Sequence, residues 1–261
     1  MSQADVQESH AQLTAFWKKL ARAMDAPAVT TAPGVDCIFG NVAIPFFNVV
    51  TLLEPVTSGK DLDHRLQAAQ TFADGHPCPW FLIAADDATP GDLLPVRNQT
   101  FAAAGLHPAM ALTGMIADQL PTATLSPLTL RPATNTTAFA AIGDINSQAY
   151  EMPAGAGVGI MDRPNLFQDG HPIVGYENGE AVSCALSTPL DGCLYVAFVA
   201  TLPTHRRKGY AEACMKESLG AASSATGITR SVLHATDAGR PIYARMGYRP
   251  VATYTLFGQA H

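Results

Sequence analysis

The sequence predicts a mixed α/β fold, an α+β arrangement with mixed sheets, divided into two domains. Three observations predict it. Strand-like and helix-like stretches alternate through all 261 residues, and 48% of the chain is hydrophobic, enough for full cores. A stretch of changed texture, "QLPTATLSPLTLRPAT", carries Pro121, Pro127 and Pro132 among several Thr and Ser and reads as a linker, which places a boundary near Ser126 and domains at 1–125 and 126–261. The almost unbroken apolar run "CLYVAFVAT" reads as a strand buried on both faces, and it passes through "LPTHRRKGYA" into a helical pattern.

In the first half, residues Gln12 to Met24 predict an amphipathic helix, with Leu13, Phe16, Trp17, Leu20 and Met24 on one stripe. "DCIFGN" and "FFNVVTLLE" predict two strands joined by a short turn. "DLDHRLQAAQTFADG" predicts a helix ending at Gly75, and "PWFLIAAD" a strand. "GDLLPVRNQTFAAAGL" predicts a helix in its later part, with Gly105 closing it, followed by the strand "MALTGMIA".

The second half opens with a short strand, "LTLR", and a helix from about Thr137 to Tyr150. An irregular Gly- and Pro-rich stretch runs from Pro153 to Pro164. "HPIVGYE" and "EAVSCALS" form a hairpin around Asn178-Gly179, a strong two-residue turn signal. A second turn at "LDG" leads into "CLYVAFVAT". After Gly209 a helix places Ala211, Cys214, Met215, Leu219 and Ala222 on one stripe. "RSVLHAT", "GRPIYARMG" and "YRPVATYTLF" predict a strand, a short helix and a final strand.

The charge is 16 − 22 = −6 with neutral His. That balance argues against general nucleic-acid or anionic-membrane binding, so the basic cluster at Arg206–Lys208 is a local feature. Its shortness and the lack of an aromatic platform beside it speak against nucleic acid as well. Cys37, Cys78, Cys184, Cys193 and Cys214 are scattered, odd in number and free of CxxC spacing, so they read as reduced packing residues, with no metal site expected. "MSQADVQESH" carries Asp5 and Glu8 and lacks the apolar core of a secretory leader. No apolar stretch is long enough to span a bilayer. A cytoplasmic protein is expected, in which the sequons at Asn98 and Asn135 carry no sugar.

The junction at Leu202–Ala211 has two readings. Charge runs usually face water as a solvated turn. The alternative is an anion site: the first N–H groups of a helix have no internal partner and carry the positive end of its dipole, Gly209 permits close backbone approach, and Arg206 and Lys208 add charge. The stretch lacks the GxxxxGK[ST] pattern of a P-loop, and "GAGVG" at Gly155 has neither the spacing nor the preceding strand of a dinucleotide fingerprint.

"VATLPTHRRKGYA" resembles the signature of the GNAT superfamily of acyl-CoA-dependent N-acyltransferases: an apolar strand, a Pro, then Arg206, Gly209 and Ala211 in RxxGxA spacing. "LHATDAGRPIYARMGY" resembles the closing strand-helix-strand segment of the same family. The resemblance covers about Leu128 to Phe257. The first half resembles, in element order alone, a degenerate copy without an RxxGxA equivalent, so the chain would be a tandem whose second copy holds the coenzyme.

The resemblance implies roles. Backbone groups of Val199 and Thr201, with Ala200 between them, would pair with the pantetheine arm of acetyl-CoA, and a backbone N–H near Val199 or Ala200 would polarise the thioester carbonyl. Arg206, Arg207, Lys208, Gly209, Tyr210 and Ala211 would hold the pyrophosphate, with Arg207 facing outward. Thr236 stands where many relatives have Asn, and Gly239 would start the last helix near the pantetheine. Tyr243 would protonate the departing thiolate, or else pack as an aromatic beside Met246 and Tyr248. Many relatives carry a Glu where this chain has Ala197, so the general base is open between Tyr195 and His234 acting through water. Glu151, Asp162 and Arg163 fall where the family gathers its acceptor pocket. The expected acceptor is a small-molecule or peptide amine, with monomer or homodimer left open. The rival from another class is a non-catalytic CoA-binding sensor.

Overall fold

A computed structural model describes residues 2–122, 126–153 and 155–259. Part of the expected linker, residues 123–125, and Ala154 of the Gly-rich stretch lie outside them.

The first helix, α1 (Gln3–Arg22), starts well before Gln12. Ser2 caps it by accepting from the Asp5 N–H, and Asp5 sits in the first turn, where a carboxylate is favoured. Its apolar stripe buries Leu13, Phe16, Trp17 and Leu20. Then come β1 (Ala28–Ala32), a strand the sequence reading did not single out, β2 (Val35–Phe39) and β3 (Asn48–Leu52). Next are α2 (Gly59–Asp74), β4 (Phe81–Ala85), α3 (Leu94–Ala103) and β5 (Leu106–Ala117).

The second half begins with β6 (Thr129–Pro132) and α4 (Thr136–Ala149), whose N-cap is Asn135. The stretch expected to be irregular contains α5 (Ala156–Met161). Here the Gly content serves helix contact. A methyl group on Gly143 of α4 would meet the Gly157 carbonyl oxygen at 2.5 Å. Ser147 Oγ donates to the Gly143 carbonyl at 2.8 Å and accepts from the Gly157 N–H at 2.9 Å. Two glycines thus let α5 lie directly on the α4 backbone, a packing use of "GAGVG".

β7 (His171–Glu177), β8 (Glu180–Leu190) and β9 (Cys193–Thr201) follow. Both intervening turns have positive φ at their two central residues: Asn178 at 52° and Gly179 at 86°, Asp191 at 42° and Gly192 at 82°. That is the turn whose twist matches a hairpin. The chain ends with α6 (Tyr210–Thr226), β10 (Ser231–Ala235), α7 (Arg240–Arg245) and β11 (Arg249–Gln259).

Two compact units result, and they are not consecutive in sequence. The first runs through Met115 and takes in His234–Pro241 and the chain from Pro250; the second holds Ile116–Leu233 and Ile242–Arg249. Strand order in the first is β1-β2-β3-β4-β11-β5, with β3 and β4 parallel. In the second it is β10-β9-β8-β7-β6, with β9 and β10 parallel. Each unit contains a parallel pair joined through a helix, β3-α2-β4 and β9-α6-β10, the repetition expected of two copies of one fold. The core of the first unit gathers Phe39, Leu52, Leu62, Leu82, Phe101 and Phe257. No helix among the described residues is long and apolar enough to cross a membrane.

Candidate functional site

The second unit opens at β9. Its parallel register with β10 pairs Leu194, Tyr195 and Val196 with Ser231, Val232 and Leu233. β9 itself continues to Thr201 beyond the last of these pairs. On its other side the register with β8 shifts: Leu186 faces Ala197, but Cys184 faces Ala200, so β9 carries one extra residue. Phe198, in that bulge, has φ 50°, a left-handed conformation costly for a bulky side chain.

Side chains of β8 hold the bulge. The Cys184 thiol donates to the Phe198 carbonyl at 3.2 Å, and Ser183 Oγ donates to the Ala200 carbonyl at 2.8 Å while lying 2.9 Å from Thr201 Oγ1. Burial pushes the Cys184 thiol far above its ordinary range, so it keeps its proton and remains a donor. Asn146 of α4 donates to the same sulfur at 3.3 Å. The bulge thus has its displaced carbonyls satisfied, which is what a strained conformation needs to persist. The expected pantetheine residues Val199, Ala200 and Thr201 all lie in or beside it.

After β9 the chain makes a short 3-10 turn, Pro203–His205. Arg206 (φ −64°) and Arg207 (φ 65°) reverse the backbone, and Gly209 (φ 78°, ψ 10°) is the N-cap of α6 with no side-chain cap. Arg206, Arg207, Lys208 and Gly209 are exposed, and a Cβ on Gly209 would meet nothing within 4 Å. The first N–H groups of α6, from Tyr210 and Ala211 onward, therefore begin a helix at an open position that can take an anion.

Two of the basic side chains, Arg206 and Lys208, have partners in the protein. Arg206 donates to the Ala149 carbonyl at 2.8 Å, at the C-terminal end of α4, where a cation suits the helix dipole. Lys208 Nζ lies 3.1 Å from Glu177 Oε2 and 5.4 Å from the Tyr210 ring centroid. Neither Glu177 nor His205, 3.2 Å from Glu177 Oε2, was legible as part of the site. Glu177 ends β7, far from the loop in sequence, and only the strand order brings it near.

Tyr243 lies on α7, its ring 6.1 Å from that of Tyr248 at 64°. Burial, then the neighbouring Tyr150 and Tyr248, push its hydroxyl well above the ordinary range, so it stays protonated. Tyr248 is fixed by a 2.6 Å hydrogen bond between its hydroxyl and Ser231 Oγ. Tyr150, which sequence reasoning missed, is 48% exposed at the end of α4, and its hydroxyl donates to the Val199 carbonyl over 3.5 Å.

The remaining candidates separate. Tyr195 is buried in β9 opposite Thr188, and Ala197 is half-buried opposite Leu186. Arg163 donates to the Gly159 and Ile160 carbonyls at the end of α5. Glu151 follows α4 with φ 54°, exposed, and Asp162 ends α5. In the first unit, Thr236 accepts from the Gly239 N–H through its hydroxyl at 3.3 Å, shaping the turn into α7. His234 belongs to a network there: its Nε2 is 3.2 Å from Ser9 Oγ, which lies 2.7 Å from the Tyr254 hydroxyl. Burial lowers its pKa to about 3, with His10 adding to the effect, which leaves it a weak base.

The first unit's parallel crossover has a capped helix start. Ser58 Oγ accepts from the Asp61 N–H, and the Asp61 carboxylate accepts from the Thr57 N–H at 2.8 Å. Arg65 pairs with Asp61 at 2.9 Å and donates to the carbonyls of Glu54 and Pro55. The start of α2 thus carries a side-chain cap, which the start of α6 lacks.

Residues 129–251 match the sequence model of the acetyltransferase (GNAT) domain. Among solved structures, the chain is similar to a GCN5-related N-acetyltransferase from Kribbella flavida, at 21% identity and TM-score 0.71 over 98% of this chain and 95% of that one. It is also similar to a GCN5-related N-acetyltransferase from Sphaerobacter thermophilus, at 15% identity and TM-score 0.62 over 96% and 91%. A tandem GNAT protein from the clavulanic acid biosynthesis pathway aligns over 97% of this chain and 94% of its own, at 12% identity and TM-score 0.54. Among curated proteins, none matches the chain in sequence. With the bulged β9, the open start of α6 and the repeated crossover, these findings identify an acetyltransferase (GNAT) domain at residues 129–251, within a chain whose fold along its length is similar to those of solved GNAT proteins, a tandem one among them.

Proposed function

We propose that the chain is an N-acyltransferase that moves an acetyl group from acetyl-CoA to an amine, with the coenzyme held by the C-terminal copy, residues 126–261. The observation that carries this reading is the pairing of the β9 bulge with the uncapped start of α6. The pyrophosphate would lie on the N–H groups of Gly209 to Ala211, and the pantetheine would run along Val199, Ala200 and Thr201. Arg206, Arg207 and Lys208 would add a positive field from around the loop.

The amine nitrogen attacks the thioester carbonyl carbon, the carbon–sulfur bond breaks, and Tyr243 donates toward the departing sulfur. A tyrosine held neutral by burial has its proton at any working pH. Its acidity is poorly matched to a thiol of pKa about 8.5, so its help lies at the low end for general acids, about 100-fold. With Ala197 where an acid is usual, the ammonium proton leaves through water. Residues 1–125 serve as the copy without coenzyme. The acceptor is a small-molecule or peptide amine, and the setting is the cytoplasm.

The test is release of CoA thiol from acetyl-CoA in the presence of a panel of amines. Steady, amine-dependent release supports the enzyme. Saturable binding of acetyl-CoA with no release from any amine makes the chain a sensor instead.

A further inference from the structure

We propose that Glu177 is a positioning residue for the coenzyme: an internal anion at the end of β7 that ties down His205, Lys208 and Tyr210 and so holds the loop between β9 and α6 in its binding shape. This rests on the acyl-CoA reading above.

Three donors from both ends of the loop converge on one carboxylate. The Tyr210 hydroxyl donates to Glu177 Oε1, Lys208 Nζ lies 3.1 Å from Oε2, and His205 Nε2 lies 3.2 Å from Oε2. Between His205 and Tyr210 the chain is exposed and includes two positive-φ residues, Arg207 and Gly209. Such a segment is not held by a core and keeps one shape only if something fixes its ends. Tyr210 is 3% exposed and begins α6, so its hydrogen bond anchors the helix start to the strand beside it. The carboxylate is held below its usual range by Tyr210 first and then by Lys208.

An acid under an anion site has two opposed effects. Its charge repels a diphosphate and neutralises Lys208, so on charge alone its removal tightens binding. Its hydrogen bonds prepay the ordering of the loop, so on that ground its removal weakens binding. The geometry favours ordering: all three groups that Glu177 holds are side chains, whereas the diphosphate donors are backbone N–H groups whose direction depends on loop shape. Freeing about one residue of backbone costs roughly ten-fold in affinity.

The experiment compares wild type, Glu177→Gln and Glu177→Ala in the full chain. Glu177→Gln keeps an acceptor for Tyr210 and loses the ion pairs, so it falls between the other two. Without ligand, trypsin cleavage after Arg206, Arg207 and Lys208, followed by mass spectrometry, is expected to be roughly ten-fold faster in Glu177→Ala at an unchanged melting temperature. In calorimetry, acetyl-CoA is expected to bind roughly ten-fold more weakly, with kcat preserved and KM raised. Binding by Glu177→Ala as tight as wild type, or tighter, overturns the inference while leaving the acyl-CoA reading intact, and unchanged cleavage overturns it too. Failure of wild type to bind acetyl-CoA sinks the acyl-CoA reading itself and the inference with it. If Glu177→Ala does not fold, Glu177→Gln carries the same comparison, with the same two outcomes overturning it.

Discussion

Gly209→Glu places a carboxylate at the start of α6, and the structure gives the size of its effect. Gly209 has φ 78°, so any L side chain there pays the left-handed penalty of about 1 kcal/mol. Nothing lies within 4 Å of its Cβ direction, so no clash adds to that cost. A loss of 1 kcal/mol lowers Tm by about 3 °C in a chain of this size, and the protein stays folded. A like charge about 4 Å from a bound diphosphate costs from about 1 kcal/mol in water-like surroundings to about 4 at an effective dielectric constant of 20. At this exposed position the lower part of that range applies, so the expected loss of acetyl-CoA affinity is roughly ten-fold, before any steric block. Gly209→Ala separates the terms, since it carries the same backbone strain and no charge. Calorimetric titration of both variants beside wild type measures the difference. If Gly209→Glu binds acetyl-CoA as tightly as Gly209→Ala does, no diphosphate lies at the start of α6.

Tyr243→Phe keeps the ring against Tyr248 and removes the hydroxyl, so kcat is expected to fall about 100-fold with acetyl-CoA affinity unchanged. An unchanged kcat returns Tyr243 to packing. Titration with acetyl-CoA is expected to saturate at one per chain, because the start of α2 is capped by the Ser58 side chain whereas the start of α6 has no side-chain cap; a stoichiometry of two refutes this. His234 stays neutral in the folded state down to about pH 3, while in the unfolded chain it takes a proton below about 6.5. The unfolded state therefore binds more protons in that window, and stability falls as pH drops through it, by up to about 1.4 kcal/mol per unit. Melting curves at pH 7 and 4.5 are expected to show a smaller acid loss in His234→Asn than in wild type, and equal losses would refute the assignment.

What the sequence made legible was local. Asn178-Gly179 and Asp191-Gly192 specify their turns through residues that tolerate positive φ, and the apolar periods located β9 and α6. The first turns of α1 were missed because "QADVQES" has no apolar stripe, although Ser2 and Asp5 form a capping signal that could have marked its start. α5 was missed because composition reads its glycines as irregularity, whereas Gly157 packs closely against Gly143 of α4. In the candidate site, Arg206, Gly209 and Ala211 stand in a spacing that can be read directly. The bulge at Phe198 cannot be, since it rests on Ser183 and Cys184 of another strand. Glu177 and Tyr150 were hidden for the same reason: each meets its partner through the fold, across a distance in sequence that no local pattern spans. The place of β11 beside β4, in the first unit, is likewise a matter of pairing between the last strand and an early one.

The most direct test of the account is a crystal structure of the full chain grown with acetyl-CoA. The account predicts one coenzyme per chain, its diphosphate on the N–H groups of Gly209 to Ala211, its pantetheine along Val199 to Thr201, and its sulfur within hydrogen-bonding reach of the Tyr243 hydroxyl. Coenzyme seated at the start of α2, or anywhere that leaves the start of α6 empty, would contradict it.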